Sequence, residues 1–328
     1  MASPKYTELI KSIGSILEEG RRQAVRVVNT ILTETYWQIG RQIVEYEQET
    51  GESAGYGSKL FDRIANDLRR RYGKGFSRSN IIYMRLLYSK HQKSQTLSDR
   101  LTWSHYVEFL KIDDDLERGF YEKQCLLESW SVRELSRQIN SALFYRIALS
   151  KHKSKVLELA KQGNIIEEPQ DIIKDPYILE FLNLPEDHSE KELEQKIIDN
   201  LQRFILELGK GFSFVARQFR ISLANRHYYV DLVFYHHILR CFVLIDLKIG
   251  EVTPADIGQM NLYLNYFRAE ENKSSDNAPI GMILSAEKDS ISVKYALGGI
   301  SNRLFVSKYR LYLPDKRVLE RKLRRLLR

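Results

Sequence analysis

The first 150 residues repeat apolar positions at intervals of three and four, which is the period of an amphipathic helix. Between Tyr6 and Glu49 this repeat includes Ile13, Leu17 and Ile31. The segments that contain Trp103 and Trp130 continue it, and all three tryptophans of the chain lie in this half. The pattern predicts an all-α N-terminal domain with its own core.

A helix, a short glycine-containing turn and a second helix are predicted around Gly73. The first helix reads KLFDRIANDLRRRYG, and Ser77 can cap the second, which reads RSNIIYMRLLYSKH. This order suits a helix-turn-helix or winged-helix module, although helical hairpins with exposed arginines are also common without nucleic acid. The candidate nucleic-acid contacts of this module are Arg69, Arg70, Arg71, Arg78 and Arg85.

The pattern changes after residue 150, where three prolines follow one another between Pro169 and Pro185. We place the domain boundary near Glu168, with one domain over residues 1–168 and a second over 169–328. Residues 190–208 then predict a helix, and Ser189 with Glu192 forms a capping-box signature at its start. Strands are expected at 212–222, 226–236, 240–249 and 279–285, with a helix at 254–269 before the last strand. The order αβββαβ predicts an α/β sheet with helices on its faces.

Two of these strands carry charges among apolar neighbours. Asp231 lies in YVDLVFY, and Asp246 and Lys248 lie in FVLIDLKIG. A charge inside an apolar strand costs several kcal/mol unless it is paired or bound to a metal. Because strand side chains alternate, Asp246 and Lys248 share a face, and a tight turn at Ile238–Leu239 would place Asp231 opposite Asp246. Such a cluster can hold a divalent metal and a water against a phosphate, whereas a buried Asp–Lys pair with a purely structural role is the alternative.

The composition and net charge of the chain indicate which kinds of partner it can bind. The chain has 43% hydrophobic and 29% charged residues, as in ordinary soluble proteins, and no apolar run long enough to span a membrane. Its two cysteines, 116 residues apart, suggest neither a disulfide framework nor a zinc site, so we expect a cytoplasmic protein with no membrane partner. Residues 301–328 carry 10 basic against 2 acidic residues, which equals the whole net charge of +8. This basic tail favours a polyanion partner. An amphipathic helix whose arginines are only solvated would have the same sequence pattern, and this alternative stays open.

Taken together, these segments resemble a known family. The blocks YYVDLVFYH, CFVLIDLKIG and IGQMNLYLNYF, with SWSVRELSRQINSALFYRI in the first half, are similar to the YhcG-like bacterial proteins. These proteins join a helical domain to a nuclease domain of the PD-(D/E)XK, restriction-endonuclease-like fold. The resemblance implies a phosphodiesterase that depends on Mg²⁺ or Mn²⁺, with DNA as the expected substrate. It also makes a homodimer plausible, and a protein partner could bind through the N-terminal domain.

The resemblance also implies roles for individual residues. Asp231 and Asp246 match the metal-binding acids, the carbonyl of Leu247 would complete the metal shell, and Lys248 matches the catalytic lysine. Glu207 matches an additional acid for the metal or its water, and Gln259 a glutamine near the site. Burial could lower the pKa of Lys248 toward that of a general base.

Three points stay open at this stage. Arg217 and Gln218 on the first strand could contact the DNA backbone, although exposed strand charges are usually only solvated. A non-catalytic nucleic-acid-binding protein on the same fold is the first alternative function. The second is a protein-recruiting module in which cleavage is secondary.

Overall fold

The structure is a computed structural model that describes residues 4–50, 59–92, 97–150, 153–223, 225–287 and 303–327. It forms two compact units, residues 1–135 and residues 136–328. The division between the units falls inside a helix, whereas the sequence predicts the domain boundary near Glu168. That boundary stays a prediction.

The described part of the first unit is entirely helical. Its helices are α1 (Pro4–Thr50), α2 (Lys59–Tyr72), α3 (Arg78–Lys90), α4 (Trp103–Leu110), α5 (Asp115–Glu128) and the start of α6 (Val132–Asn140). The predicted helix, turn and helix are therefore present as α2 and α3. No strand occurs in the described residues of this unit, so the winged-helix part of the prediction is not confirmed.

Local signals explain how α2 and α3 are joined. Gly73 has φ +83° and Gly75 has φ +110°, a region that glycine enters without steric cost. The Ser77 hydroxyl accepts a hydrogen bond from the Asn80 backbone N–H at 3.2 Å and caps α3 as expected.

Close backbone packing holds α3 on α1. A Cβ atom added to Gly40 of α1 would lie 2.0 Å from the Met84 carbonyl oxygen of α3, so only glycine fits there. Trp37 Nε1 also donates to the His91 carbonyl oxygen at 2.6 Å. The second half of α1 is thereby part of the core of this unit.

The second unit is a six-stranded mixed sheet between helices. Its helices are α7 (Leu143–Ser150), α8 (Lys153–Gln162), α9 (Glu190–Asp199), α10 (Leu201–Leu208), α11 (Pro254–Tyr266) and α12 (Lys316–Leu327). Its strands are β1 (Tyr177–Ile178), β2 (Phe212–Leu223), β3 (Arg226–His236), β4 (Cys241–Lys248), β5 (Ile280–Ser285) and β6 (Leu304–Arg310). The sheet order is β1-β6-β5-β4-β3-β2, antiparallel from β2 to β4 and parallel from β4 to β1. The predicted αβββαβ order is present, and each of its four strands lies within two residues of its expected bounds.

Three features of this unit differ from the prediction. The helix expected over 190–208 is divided at Asn200, whose φ of −119° is not helical. The segment DPYILEFLNL holds strand β1 and a 3₁₀ turn, although by its sequence it could also form a short helix. Strand β6 was not predicted.

Apolar side chains cover both faces of the sheet. Alternate residues of β4 enter separate cores, Val243 and Ile245 on the side of α9 and α10, and Leu244 on the side of α11. The basic tail forms helix α12, which buries Leu319 and Leu323 and packs against α7. Among the helices that the structure describes, none is both long and apolar enough to cross a bilayer.

Candidate functional site

The hairpin of β3 and β4 brings the two strand carboxylates together. Leu232 pairs with Ile245, so the next position of the same register places Asp231 opposite Asp246. Asp231 Oδ2 accepts a hydrogen bond from the Leu247 backbone N–H at 2.8 Å. The alternation of side chains puts Asp246 on the face of Leu244, toward α11. The register that the sequence predicted for these acids is therefore present.

Asp246 lies in an unfavourable place for a negative charge. Only 3% of its surface is exposed. Burial and the neighbouring charge of Asp231 together raise the pKa of Asp246 to about 7, although the ammonium group of Lys248 opposes the rise. Without a cation, the pair of carboxylates therefore tends to retain a proton near neutral pH.

Lys248 is the positive member of the cluster. Its Nζ lies 3.1 Å from Asp246 Oδ2 and 3.7 Å from Asp256 Oδ1 on α11. Burial alone would lower the pKa of Lys248, but the negative charges of Asp246, Glu190 and Asp256 outweigh it, and the pKa is raised. The expectation of a pKa lowered toward general-base range is therefore wrong for this arrangement, in which Lys248 is a cation.

A third carboxylate, which is buried and which the sequence did not single out, approaches from α9. Only 6% of the surface of Glu194 is exposed. The Gln218 side-chain amide donates to Glu194 Oε2 at 2.7 Å and to Asp231 Oδ1 at 3.0 Å, so one amide group links the two acids. Among the described residues this amide separates the acids, and no group of three acidic, histidine or cysteine side chains is close enough to hold a metal.

The backbone of strand β2 is irregular at and near Gln218. The register with β3 shifts between Phe214 and Ala216, as at a β-bulge, and Gln218 has φ +47°. A left-handed backbone at a non-glycine residue is strained, and such strain persists where the surroundings hold it.

Both predicted DNA contacts on β2 have other partners. Gln218 bridges the two acids, and Arg217 Nε donates to Glu194 Oε1 at 3.0 Å. Arg217 also donates to Gln195 Oε1 at 3.0 Å. In this structure these side chains therefore fasten β2 to α9.

Glu207 does not join the cluster, which corrects the sequence expectation. Its carboxylate is fully buried and accepts from Arg146 at 2.6 Å, from Arg137 at 3.1 Å and from the Ile178 backbone N–H at 2.9 Å. Burial would raise the pKa of Glu207, but the charges of Arg146, Lys174 and Arg137 lower it to about 2. Glu207 thus balances buried arginines inside the second unit, and its oxygens have these partners instead of a cation.

Gln259 lies on α11 beside the acids. Its side-chain amide donates to the Tyr263 hydroxyl, which donates to the Tyr229 carbonyl oxygen on β3 at 2.9 Å. Burial raises the pKa of Tyr263, and the negative charges of Asp246 and Asp231 add to the rise. The predicted glutamine is therefore near the site, where it orients a tyrosine that fixes β3.

The arginines of α2 and α3 divide into two groups. Arg69, Arg70 and Arg71 are exposed, and Arg70 pairs with Asp67 of the preceding turn at 2.7 Å. Arg78 lies 3.3 Å from Asp62. Arg85 pairs at 2.7 Å with Glu47, whose side chain is only 7% exposed, so Arg85 holds α3 to α1. The expectation that Arg85 contacts nucleic acid is corrected accordingly.

The donors at this site suit a hard divalent cation. Magnesium commonly takes one or two carboxylates together with waters and phosphate oxygens. Asp231 and Asp246 provide those carboxylates, and burial together with the charge of Asp231 raises the pKa of Asp246, a cost that a cation would offset. The role of the Leu247 carbonyl as a further ligand stays a prediction, and the N–H of the same residue binds Asp231.

The mixed sheet and the Asp231, Asp246 and Lys248 cluster define a domain of the PD-(D/E)XK nuclease class. In agreement, residues 170–324 match the family model described as YhcG PDDEXK nuclease domain, and residues 12–146 match the DUF1016 N-terminal domain. The chain is 38% identical over 346 residues to the protein of Escherichia coli (strain K12) named "Putative nuclease YhcG", covering 96% of this chain and 92% of that protein. The chain therefore belongs to the YhcG family.

Solved structures give a weaker likeness. A repair endonuclease from Pyrococcus abyssi is 18% identical, with a TM-score of 0.27 over 39% of this chain and 49% of the other. EndoMS in a complex with double-stranded DNA is 20% identical, with a TM-score of 0.28 over 39% and 46%. These scores are too low for either structure to inform the fold.

Proposed function

We propose that the chain hydrolyses phosphodiester bonds of DNA in the cytoplasm, with a divalent cation held by Asp231 and Asp246. The observation that carries this proposal is the buried carboxylate of Asp246 next to that of Asp231, because burial and the charge of Asp231 raise the pKa of Asp246 to about 7. A purely structural ion pair would need one acid and one base. The second acid is a cost to folding without a cation, and this cost is explained if the pair binds one.

The division of labour follows from the contacts. A Mg²⁺ or Mn²⁺ ion bound here would supply charge neutralisation at the phosphate and a water of lowered pKa. Asp231 is held by the Leu247 N–H and Asp246 by Lys248, so both carboxylates are oriented before a cation arrives. Lys248 is 21% exposed and cationic, and it can donate to a phosphate oxygen and stabilise the charge that develops there.

DNA as the substrate is supported by the charge distribution. The net charge is +8, and helix α12 places Arg317, Arg321, Arg324 and Arg325 on the tail. Arg69 and Arg71 add exposed positive charge in the first unit. Phosphate neutralisation by such groups supplies most of the affinity of sequence-independent binding.

The test is cleavage of labelled linear, nicked, single-stranded and branched DNA, with one RNA substrate, in Mg²⁺, Mn²⁺ or EDTA. The wild-type chain is expected to cut DNA only with a cation. Asp246→Asn is expected to lose cleavage while it keeps DNA binding, and Asp199→Asn, at an exposed acid of α9, serves as the matched control. Cleavage by Asp246→Asn at the wild-type rate, or cleavage in EDTA, would refute the proposal, and cleavage of RNA alone would refute its DNA part.

A further inference from the structure

The first half of α1 carries an apolar surface that the described residues leave uncovered. From Lys5 to Val28 every side chain is exposed except at Gly14, which is half-buried. Ten large apolar side chains in and just beyond this stretch are between 43% and 69% exposed, namely Val25 and nine that share one side of the helix: Tyr6, Leu9, Ile10, Ile13, Ile16, Leu17, Val27, Val28 and Ile31. We call these nine side chains the ridge. Helices of monomeric proteins rarely expose so many large apolar groups together.

The ridge is one continuous stripe. At about 100° per residue, its nine positions fall within an arc of roughly 120°, the width of a core-facing helix surface. Gly20 and Ala24 lie in the same arc and leave it without a polar interruption. Thr33, Trp37 and Gly40, which face inward in the second half of α1, lie on roughly the opposite side of the helix. The ridge is therefore separate from the face that packs on α3, and it needs a cover of its own.

The second half of α1 and helix α2 enclose an apolar groove. Its volume is about 620 Å³, and its apolar lining includes Ile39, Tyr46, Leu60, Ile64, Leu68 and Phe76. The groove is large enough for several aliphatic side chains. One chain thus presents an apolar ridge and an apolar groove on the same 47-residue helix.

We propose that the ridge of one copy fills the groove of a second copy, and that the two α1 helices run antiparallel about a two-fold axis near their middle. At 1.5 Å per residue α1 is about 70 Å long, so its first half can lie along the partner's second half while the reverse contact forms at the other end. A two-fold interface of this kind is isologous and satisfies both surfaces of both copies.

The exposed area is sufficient for a stable dimer. With about 100 Å² on each side chain, the ridge exposes roughly 900 Å² per copy, which is close to the ~800 Å² that each partner buries in a standard interface. The surrounding charges argue for a protein partner over a lipid surface. The first half of α1 mixes Glu8, Glu18 and Glu19 with its basic residues, whereas helices that lie on membranes are mainly basic on their polar side.

The mass of the full-length chain in solution tests the proposal. Sedimentation at micromolar concentration is expected to give a dimer for the wild type and half that mass for Ile13→Asp with Leu17→Asp. The matched control, Ser12→Asp with Ser15→Asp, adds the same two negative charges outside the ridge and is expected to remain a dimer. A wild-type monomer, including one that binds vesicles or another protein instead, overturns the proposal, and so does a dimer that survives Ile13→Asp with Leu17→Asp.

A mixed disulfide tests the pairing of ridge and groove. Ile13→Cys protein mixed with Ile64→Cys protein is expected to form a cross-linked dimer on mild oxidation, because the two native cysteines are buried. Neither variant alone is expected to cross-link. Failure of the mixture to cross-link more than either variant alone would overturn the ridge-in-groove arrangement.

Discussion

Lys248 Nζ lies 3.1 Å from Asp246 Oδ2, and the two residues are separated by one position on the same strand. Among the described residues, the carboxylate of Asp231 accepts from two neutral donors, the Leu247 N–H and the Gln218 amide, and has no cationic partner of its own. The three groups Asp231, Asp246 and Lys248 therefore carry one negative charge in excess when both acids are ionised.

Removal of one carboxylate is expected to stabilise the cation-free protein. The pKa of Asp246 is raised to about 7 from 3.8. A raised pKa favours the folded state at low pH, and this contribution is lost as the pH rises from about 4 through 7. In EDTA at pH 8, Asp246→Asn should therefore unfold at a higher temperature than wild type, with a free energy of unfolding larger by on the order of 1–3 kcal/mol. At pH 4 the two proteins should differ little in stability. Equal melting temperatures at pH 8, or a gain of the same size in Asp199→Asn, would contradict this.

Gln218 is expected to stabilise the two acids in the absence of a cation, because its amide donates hydrogen bonds to both of them. Gln218→Met keeps the length of the side chain but removes the amide that links Glu194 to Asp231. Because Gln218 is exposed, the loss of stability without cation should be modest, about 1 kcal/mol. Mn²⁺ should then raise the melting temperature of Gln218→Met more than that of wild type. Gln195→Met, the same change outside this bridge, should respond to Mn²⁺ as wild type does.

His236 is expected to make the protein sensitive to acid. Its Nδ1 accepts from the Leu239 backbone N–H and its Nε2 donates to the Lys210 carbonyl oxygen, so the buried ring is neutral. Burial lowers the pKa of His236 to about 4. As the pH falls from 6.5 toward 4 the unfolded chain gains a proton that the folded chain does not, and stability falls by up to about 3 kcal/mol.

Thermal unfolding between pH 4 and 7 checks the effect of His236. Asp246 acts in the opposite direction over part of this range, so the informative quantity is the difference between wild type and His236→Gln. This difference should shrink or reverse as the pH falls. His227→Gln, at an exposed histidine, is the control, and a difference that does not change with pH would count against the assignment.

The arginines of the first unit should separate into DNA contacts and structural contacts. Replacement of Arg69, Arg70 and Arg71 by alanine should weaken DNA binding and make it less dependent on salt, with a slope smaller by up to about 3, while stability stays the same. Arg85→Ala should instead destabilise the chain by about 1–3 kcal/mol, because Glu47 would remain buried without its partner. Salt-dependent binding curves and thermal unfolding distinguish the two outcomes, and an unchanged salt slope in the triple variant would reject the DNA contact.

The sheet was predictable where its strands carry their own signals. Residues 226–236 and 241–248 are β-rich runs bounded by turns, and their charged positions fix which side chains share a face. Strand β1 has only two residues and lies next to prolines, so its extended backbone depends on pairing with β6 more than 120 residues later. The break between α9 and α10 at Asn200 could not be predicted either, because the apolar repeat continues through it and the break depends on the tertiary fold.

The site was predictable for the same reason, and only in part. Asp231, Asp246 and Lys248 lie on adjacent strands, where register alone brings them together. Glu207 was misplaced because its partner Arg146 is 61 residues away, and no local pattern reveals that pairing. Glu194 follows Leu193 in a charged helix, EKELEQKIID, in which no local pattern distinguishes it from the neighbouring acids. Its position at the site depends on its contact with Gln218 of β2, 24 residues later.

Calorimetric titration of Mn²⁺ into the protein without nucleic acid tests directly whether Asp231 and Asp246 hold the cation. Wild type and Glu207→Gln are expected to bind the cation alike, whereas Asp231→Asn and Asp246→Asn are each expected to weaken binding by about tenfold or more. Unchanged Mn²⁺ binding in both aspartate variants, or a loss of binding in Glu207→Gln with the aspartate variants unaffected, would show that the cation site lies elsewhere.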